Sequence, residues 1–299
     1  MTAPDGGQAD PKADVPAPAS SHSGVAQRFA NLNLGVRTIS ALVLVGIAMV
    51  VVYYGSWVLA AWIALAGSRM LFEWYRMTVP GKWHAALVAS MLGLGLVLVL
   101  ATLGHFVMAV AVVALGASLA ALVAMVEKRN AMWAVGGFVY VALPSVSLIW
   151  LREGSALGAE SLLWLLFTVW STDVCAMLAG AWIGGPKLMP RLSPKKTWAG
   201  VGGALTASVI AAIIFALVVP GTQLAPIIAA ALALSVIAQI GDLAESAAKR
   251  HFHVKDSGSV IPGHGGFLDR LDSLMAASLA YGAVKFVYAD APFSFAVAQ

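Results

Sequence analysis

Apolar stretches about twenty residues long recur along this 299-residue chain, and no other feature limits its folding so strongly. In hydrocarbon no water is at hand to bond the backbone, so each stretch must pair its own N–H and C=O groups and become a helix. Nine stretches meet this description, at 37–53, 56–75, 84–101, 105–126, 132–151, 161–183, 199–219, 224–242 and 269–289. They predict an all-α, polytopic integral membrane protein with nine transmembrane helices. With 60% hydrophobic and 11% charged residues, the chain is excluded from the soluble globular class. The weakest boundary lies around Tyr53 to Trp57, where the first two spans could also be one kinked segment. Residues 1–26, rich in Pro, Ala, Ser, Gly and Asp, read as a disordered polar tail. Residues 27–299 then form a single transmembrane domain. The tail lacks the basic start and apolar core of a signal peptide, so the first span is expected to act as an uncleaved start.

Charge placement gives an independent reading of topology. Arg76 and Lys82, then Lys128 and Arg129, then Lys187, Arg191, Lys195 and Lys196, then Lys249, Arg250 and Lys255 fall in alternate connections, and Arg28 and Arg37 precede the first span. The positive-inside rule therefore puts the N-terminus and both large polar loops in the cytoplasm. The sequence pI near 9.3 comes from these dispersed loop residues, which membrane topology explains better than a nucleic-acid partner, and no such partner is expected. Trp57, Trp62, Trp74, Trp83, Trp133 and Trp150 sit near predicted span ends, as interfacial tryptophans do. The single cysteine, Cys175, excludes an internal disulfide framework and a cysteine zinc site.

One segment, Gly241 to Asp272, gathers five acidic side chains and four Lys or Arg into an otherwise nearly uncharged chain. Asp242 with Glu245, and Asp269 with Asp272, stand at i, i+3 spacing, so on helices each pair shares a face. Carboxylates that close repel unless a cation lies between them, and hard oxygen ligands open to phosphate suit Mg²⁺. Between the pairs, Gly258, Pro262, Gly263, Gly265 and Gly266 interrupt any helix and allow backbone to approach a ligand. Asp173 falls inside an apolar span, where a carboxylate costs about 2.5 to 3.5 kcal/mol and needs a polar cavity or a partner. A basic cluster around Ser193, Lys195 and Lys196, in a Ser-Pro turn before the seventh span, suits phosphate. A P-loop, a Cys/His cluster and a GxSxG motif are all missing from the sequence, which leaves covalent nucleophile chemistry unsupported.

The run SAAKRHFHVKDSGSVIPGHGGFLDRLD, from Ser246 to Asp272, resembles the signature of the phosphatidate cytidylyltransferases, or CDP-diacylglycerol synthases. GDLAES just before it, SPKKTW at 193–198, and Asp173 ahead of a glycine-rich stretch are similar too, so the resemblance spans most of the chain from about residue 36. Departures are Ala248 in place of a larger apolar residue, Met177 where Tyr is common, and Ala199 where Glu is usual. The resemblance implies a membrane enzyme that joins CTP and phosphatidic acid into CDP-diacylglycerol and pyrophosphate, with 193–198 and 241–272 carrying the site. It implies Mg²⁺, as one or two divalent ions with Mn²⁺ as a substitute. Asp242 and Asp269 are expected as primary metal ligands, with Glu245, Asp256 and Asp272 supporting them. Lys195, Lys196, Lys249, Arg250, Lys255 and Arg270 are expected to clamp phosphates, with Ser193, Ser246 and His264 as donors and Asp173 nearby. The expected location is the cell's inner membrane with the site facing the cytoplasm, and a second copy of the chain is a candidate partner. Two alternatives stay open: a nucleotidyltransferase acting on another lipid phosphate, and a transporter for a phosphorylated or ionic solute with Asp173 on its path.

Overall fold

The computed structural model describes residues 34–78, 85–155, 157–258 and 265–287, with side chains from residue 42 onward. The tail at 1–26, His264, Pro262, Gly263, Lys82 and Trp83 lie outside the described residues. Among the described residues nine helices succeed one another, joined at one point by a short β-hairpin. The helices are α1 (Leu34–Tyr54), α2 (Ser56–Thr78), α3 (Ala85–Thr102), α4 (Phe106–Val126), α5 (Ala131–Glu153), α6 (Gly158–Trp182), α7 (Trp198–Val218), α8 (Leu224–His251) and α9 (Leu268–Val287). The hairpin, β1 (Lys187–Met189) and β2 (Ser193–Thr197), lies between α6 and α7. The helical limits follow the apolar stretches closely, and the all-α membrane class holds. Six helices, α3 to α8, are long and apolar enough to cross a bilayer by length and composition. In α2 and α9 the apolar run is interrupted by Arg69, Glu73 and Arg76, and by Asp269, Arg270, Asp272 and Lys285.

The break between α1 and α2 is real, and its cause is local. Gly55 and Ser56 both adopt positive φ, at 59° and 41°. Glu153 accepts the Ser56 N–H at 2.6 Å, and Arg152 donates to the carbonyls of Val52 at 2.7 Å and Tyr53 at 3.3 Å. The end of α5 thus terminates one helix and begins the next. Two helix groups result: α2 to α5 pack on one another, α6 to α9 do likewise, and α9 returns onto α5. That makes α5 the central helix, with Phe138, Val141, Ile149 and Leu151 fully buried.

Trp74 departs from the interfacial expectation. It is buried, it donates to the Trp133 carbonyl at 2.8 Å, and its indole fills the space that a side chain at Gly137 would occupy. A polar indole N–H inside a core needs such a partner, and the glycine on α5 makes room for the ring.

Candidate active site

The site forms where two close helix crossings face each other. Gly241 marks the first: a Cβ there would lie 3.0 Å from the Asp272 carbonyl and 2.5 Å from the Ala276 Cβ, so α8 and α9 meet backbone to side chain. Asp242 and Asp272 are thereby carried to one place. At the second, a Cβ on Gly200 would lie 2.8 Å from the Ala176 carbonyl, and one on Gly203 would lie 2.9 Å from the Cys175 carbonyl, so α6 and α7 also touch closely. The Thr197 hydroxyl accepts the Gly200 N–H at 3.1 Å and caps α7, one of the donors that a helix start leaves unpaired.

The residues 193–197, expected in a turn, form instead the second strand of the hairpin, with Lys187 opposite Thr197 and Met189 opposite Ser193. Pairing with the preceding segment extends them, and this carries Lys196 over the α8–α9 crossing. Its Nζ lies 2.7 Å from Asp242 Oδ2 and 3.4 Å from the Gln239 carbonyl.

Between the crossings lies a cavity of about 710 Å³. Asp173, Asp242, Asp256, Asp269 and Asp272 line it, together with Ser193, Lys195, Lys196, Lys249 and Arg270. Asp173 thus opens on a polar cavity, and it also accepts from the Ser273 hydroxyl at 3.4 Å. Met177, one of the departures noted above, is part of the wall.

Lys249 sits between two carboxylates, 2.5 Å from Glu245 Oε2 and 2.7 Å from Asp269 Oδ1. Asp269 Oδ2 takes two backbone N–H groups, those of Ser257 and Gly266, each at 3.0 Å. Asp242 and Asp269 therefore share the cavity with unlike surroundings: one faces a lysine from the hairpin, the other is wrapped by its own loop.

Among the described residues, Glu245, Ser246, Arg250 and Lys255 lie outside the cavity lining. Glu245 is buried beside Lys249, and Ser246 donates to Asp242 at 3.4 Å. Arg250 donates to the carbonyls of Leu192 and Val254, at 3.4 and 3.0 Å, fastening the hairpin turn and the turn after α8, while Lys255 is exposed.

The donor set can be matched to a cation. Among the described residues no three His, Cys, Asp or Glu side chains are grouped to hold one ion by themselves. Asp173, Asp242 and Asp272 nevertheless act on one another electrostatically, with Lys196 among the opposing charges. Such oxygen-only donors fit a hard cation that draws the rest of its shell from phosphate and water.

Glu73 on α2 was not singled out by sequence reasoning. Its side chain is fully buried and accepts from Leu268 N–H at 2.9 Å, Ser257 O–H at 3.2 Å and Arg69 Nε at 3.0 Å. The signal was present: an acid inside an apolar span carries the same cost that drew attention to Asp173.

A family model described as Cytidylyltransferase family matches residues 35–287. A protein of Brucella suis biovar 1 (strain 1330) named phosphatidate cytidylyltransferase is 36% identical over 256 residues, which covers 82% of this chain and 91% of that protein. Proteins of the same name from Bacillus subtilis (strain 168) and Rickettsia bellii (strain RML369-C) are 40% and 37% identical over 141 and 155 residues. Those matches cover 46% and 48% of this chain, and 51% and 65% of the two relatives.

Proposed function

The chain belongs to the cytidylyltransferase family, and from that premise we propose that it transfers the cytidylyl group of CTP to phosphatidate, giving CDP-diacylglycerol and pyrophosphate. It is an integral membrane nucleotidyltransferase. One observation carries the reading to the site. The polar cavity adjoins a second cavity of about 330 Å³, walled mainly by apolar side chains of α1, α2, α5, α6 and α9, and Asp173 and Arg270 line both. A substrate with a phosphate head and hydrocarbon tails suits such a pair of chambers, and a water-soluble nucleotide suits the polar one.

The attacking group is a phosphate oxygen that already carries charge at neutral pH, so the reaction needs no strong base. It needs two anions brought together in line, which calls for positioning and positive charge. Lys195 and Lys196 on β2 and Arg270 on α9 all line the polar cavity, and Arg270 alone of the three also lines the apolar one. We assign the lysines to the nucleotide phosphates and Arg270, at the junction of the cavities, to the lipid phosphate. Asp242, with Asp173 and Asp272 beside it, would hold Mg²⁺, which when bound offsets phosphate charge. Asp269 holds Lys249 and the loop amides in place rather than offering free oxygens to the cavity.

We also take α1, α2 and α9 as spans, since Glu73 on α2 and Asp269 and Lys285 on α9 turn toward bonded partners inside the bundle. The site end of the bundle then faces the cytoplasm of the inner membrane, by the positive-inside rule.

The test is product formation. Purified protein in mixed micelles, given phosphatidic acid and labelled CTP, should form CDP-lipid and pyrophosphate in equal amounts, stop on chelation and resume on adding Mg²⁺. Absence of CDP-lipid with phosphatidic acid, under conditions where another lipid phosphate is cytidylylated, would sink the substrate assignment. Chelator-insensitive turnover would sink the Mg²⁺ assignment.

A further inference from the structure

We propose that Glu73 is a positioning residue for the reaction above: from α2 it fixes the loop that aims Asp269 and Lys249 at the polar cavity. The inference rests on the function just assigned, but its geometry stands by itself. Leu268 opens α9, and the first N–H groups of a helix have no partner within it. A side chain just before the helix usually supplies the acceptor, but here the preceding residue is Phe267, which has none. Glu73 supplies it from 195 positions away, and its negative charge also suits the positive end of the helix.

The described residues that flank α9, Ser257, Gly258 and Gly266, close around this carboxylate. A Cβ on Gly258 would lie 2.7 Å from Glu73 Oε1, and one on Gly266 would run into Glu73 Oε2 and Ser257 Oγ. Two glycines of the motif therefore leave room for a side chain that arrives from another helix. Ser257 and Gly266 touch both acids: each donates its amide to Asp269, while the Ser257 hydroxyl and the bare face of Gly266 meet Glu73. Moving Glu73 moves both amides, and with them the carboxylate that holds Lys249. Arg69, one turn earlier on α2, holds Glu73 Oε1 and leaves Oε2 for the loop.

The test uses the full chain in detergent with Glu73→Gln, which keeps size but sets an amide donor against groups that are themselves donors. The expected result is a fall in kcat of about tenfold or more, since hydrogen bonds to a charged group are being lost, with KM for phosphatidic acid changed less than about twofold. Hydrogen exchange should quicken at the amides of Ser257 and Leu268 and stay unchanged in α3 and α4. Adding Ser257→Ala should lower kcat little further, because both substitutions break one network. Unchanged kcat, unchanged exchange at those two amides, or fully additive losses would each overturn the proposal. If Glu73→Gln does not fold, Ser257→Ala alone, which removes one hydroxyl, should give a smaller kcat loss with the same local exchange. Wild-type values in both would overturn it. Wild-type protein that makes no CDP-lipid would count against the enzymatic reading, while the exchange data would still decide the role of Glu73.

Discussion

Lys249 shows how a single side chain fixes the meaning of its neighbours. Glu245 and Asp269 both lie against it, with side chains 0% and 5% exposed, so neither carboxylate has water to fall back on. Lys249→Met leaves two buried negative charges facing each other and should cost about 3 to 5 kcal/mol in denaturant or thermal unfolding. Adding Glu245→Gln should return part of the loss, and failure to do so would mean that the lysine acts elsewhere. The i, i+3 spacing of acids in the sequence suggested that the pairs converge, and Asp242, Asp269 and Asp272 do line one cavity. What spacing could not show is that Lys249 is shared by Glu245 and Asp269 while Asp242 takes Lys196. The pair Glu245 and Lys249 sits at i, i+4 and was within reach of a helical reading. The contact of Lys196 with Asp242 joins residues far apart in the chain, and only the folded hairpin brings it about.

At the scale of elements, the helices were legible and the hairpin was not. Hydrocarbon length and backbone pairing dictate a helix wherever twenty apolar residues run together, so predicted and observed limits agree within a few residues for most spans. The larger mismatch is α8, expected at 224–242 and observed at Leu224–His251. At 1.5 Å per residue it is about 42 Å long, beyond the roughly 30 Å of a bilayer core, and its last turns carry the charged residues out to the site. The hairpin escaped because a three-residue and a five-residue strand have no periodic pattern, and each is extended only by the other. The α8–α9 crossing gives a test with an unusual sign. Gly→Ala within a helix normally stabilises by about 1 kcal/mol, yet Gly241→Ala would press on Ala276 and on the Asp272 carbonyl. CTP turnover should drop by about tenfold or more, as expected when reacting groups shift by an ångström. Ala276→Gly in the same chain should restore it, and no rescue would mean that the crossing does not set the site.

For the whole molecule, cross-helix contacts sort the chain into two ends. Arg152, Glu153, Ser155 and Lys285 meet the α1–α2 break or each other at one end. Trp74, Trp133, His251, Lys196 and Asp242 are tied together at the other, where most basic residues of the alternate connections also lie. With Cys175 replaced, a single cysteine at Ser193 should react with impermeant thiol reagent only from the cytoplasmic face of sealed vesicles. Reaction from the outer face alone would invert the proposed orientation. The bond between Glu73 and Leu268 bears on how the chain is made. It joins the second described helix to α9, so it cannot close until α9 has been made, and before that the acid has Arg69 as its companion. In a nascent chain that stops short of α9, Glu73 has its ion pair with Arg69 but no partner for Oε2, so the making of α9 is the event that ties α2 to the far end of the chain and closes the bundle across the site.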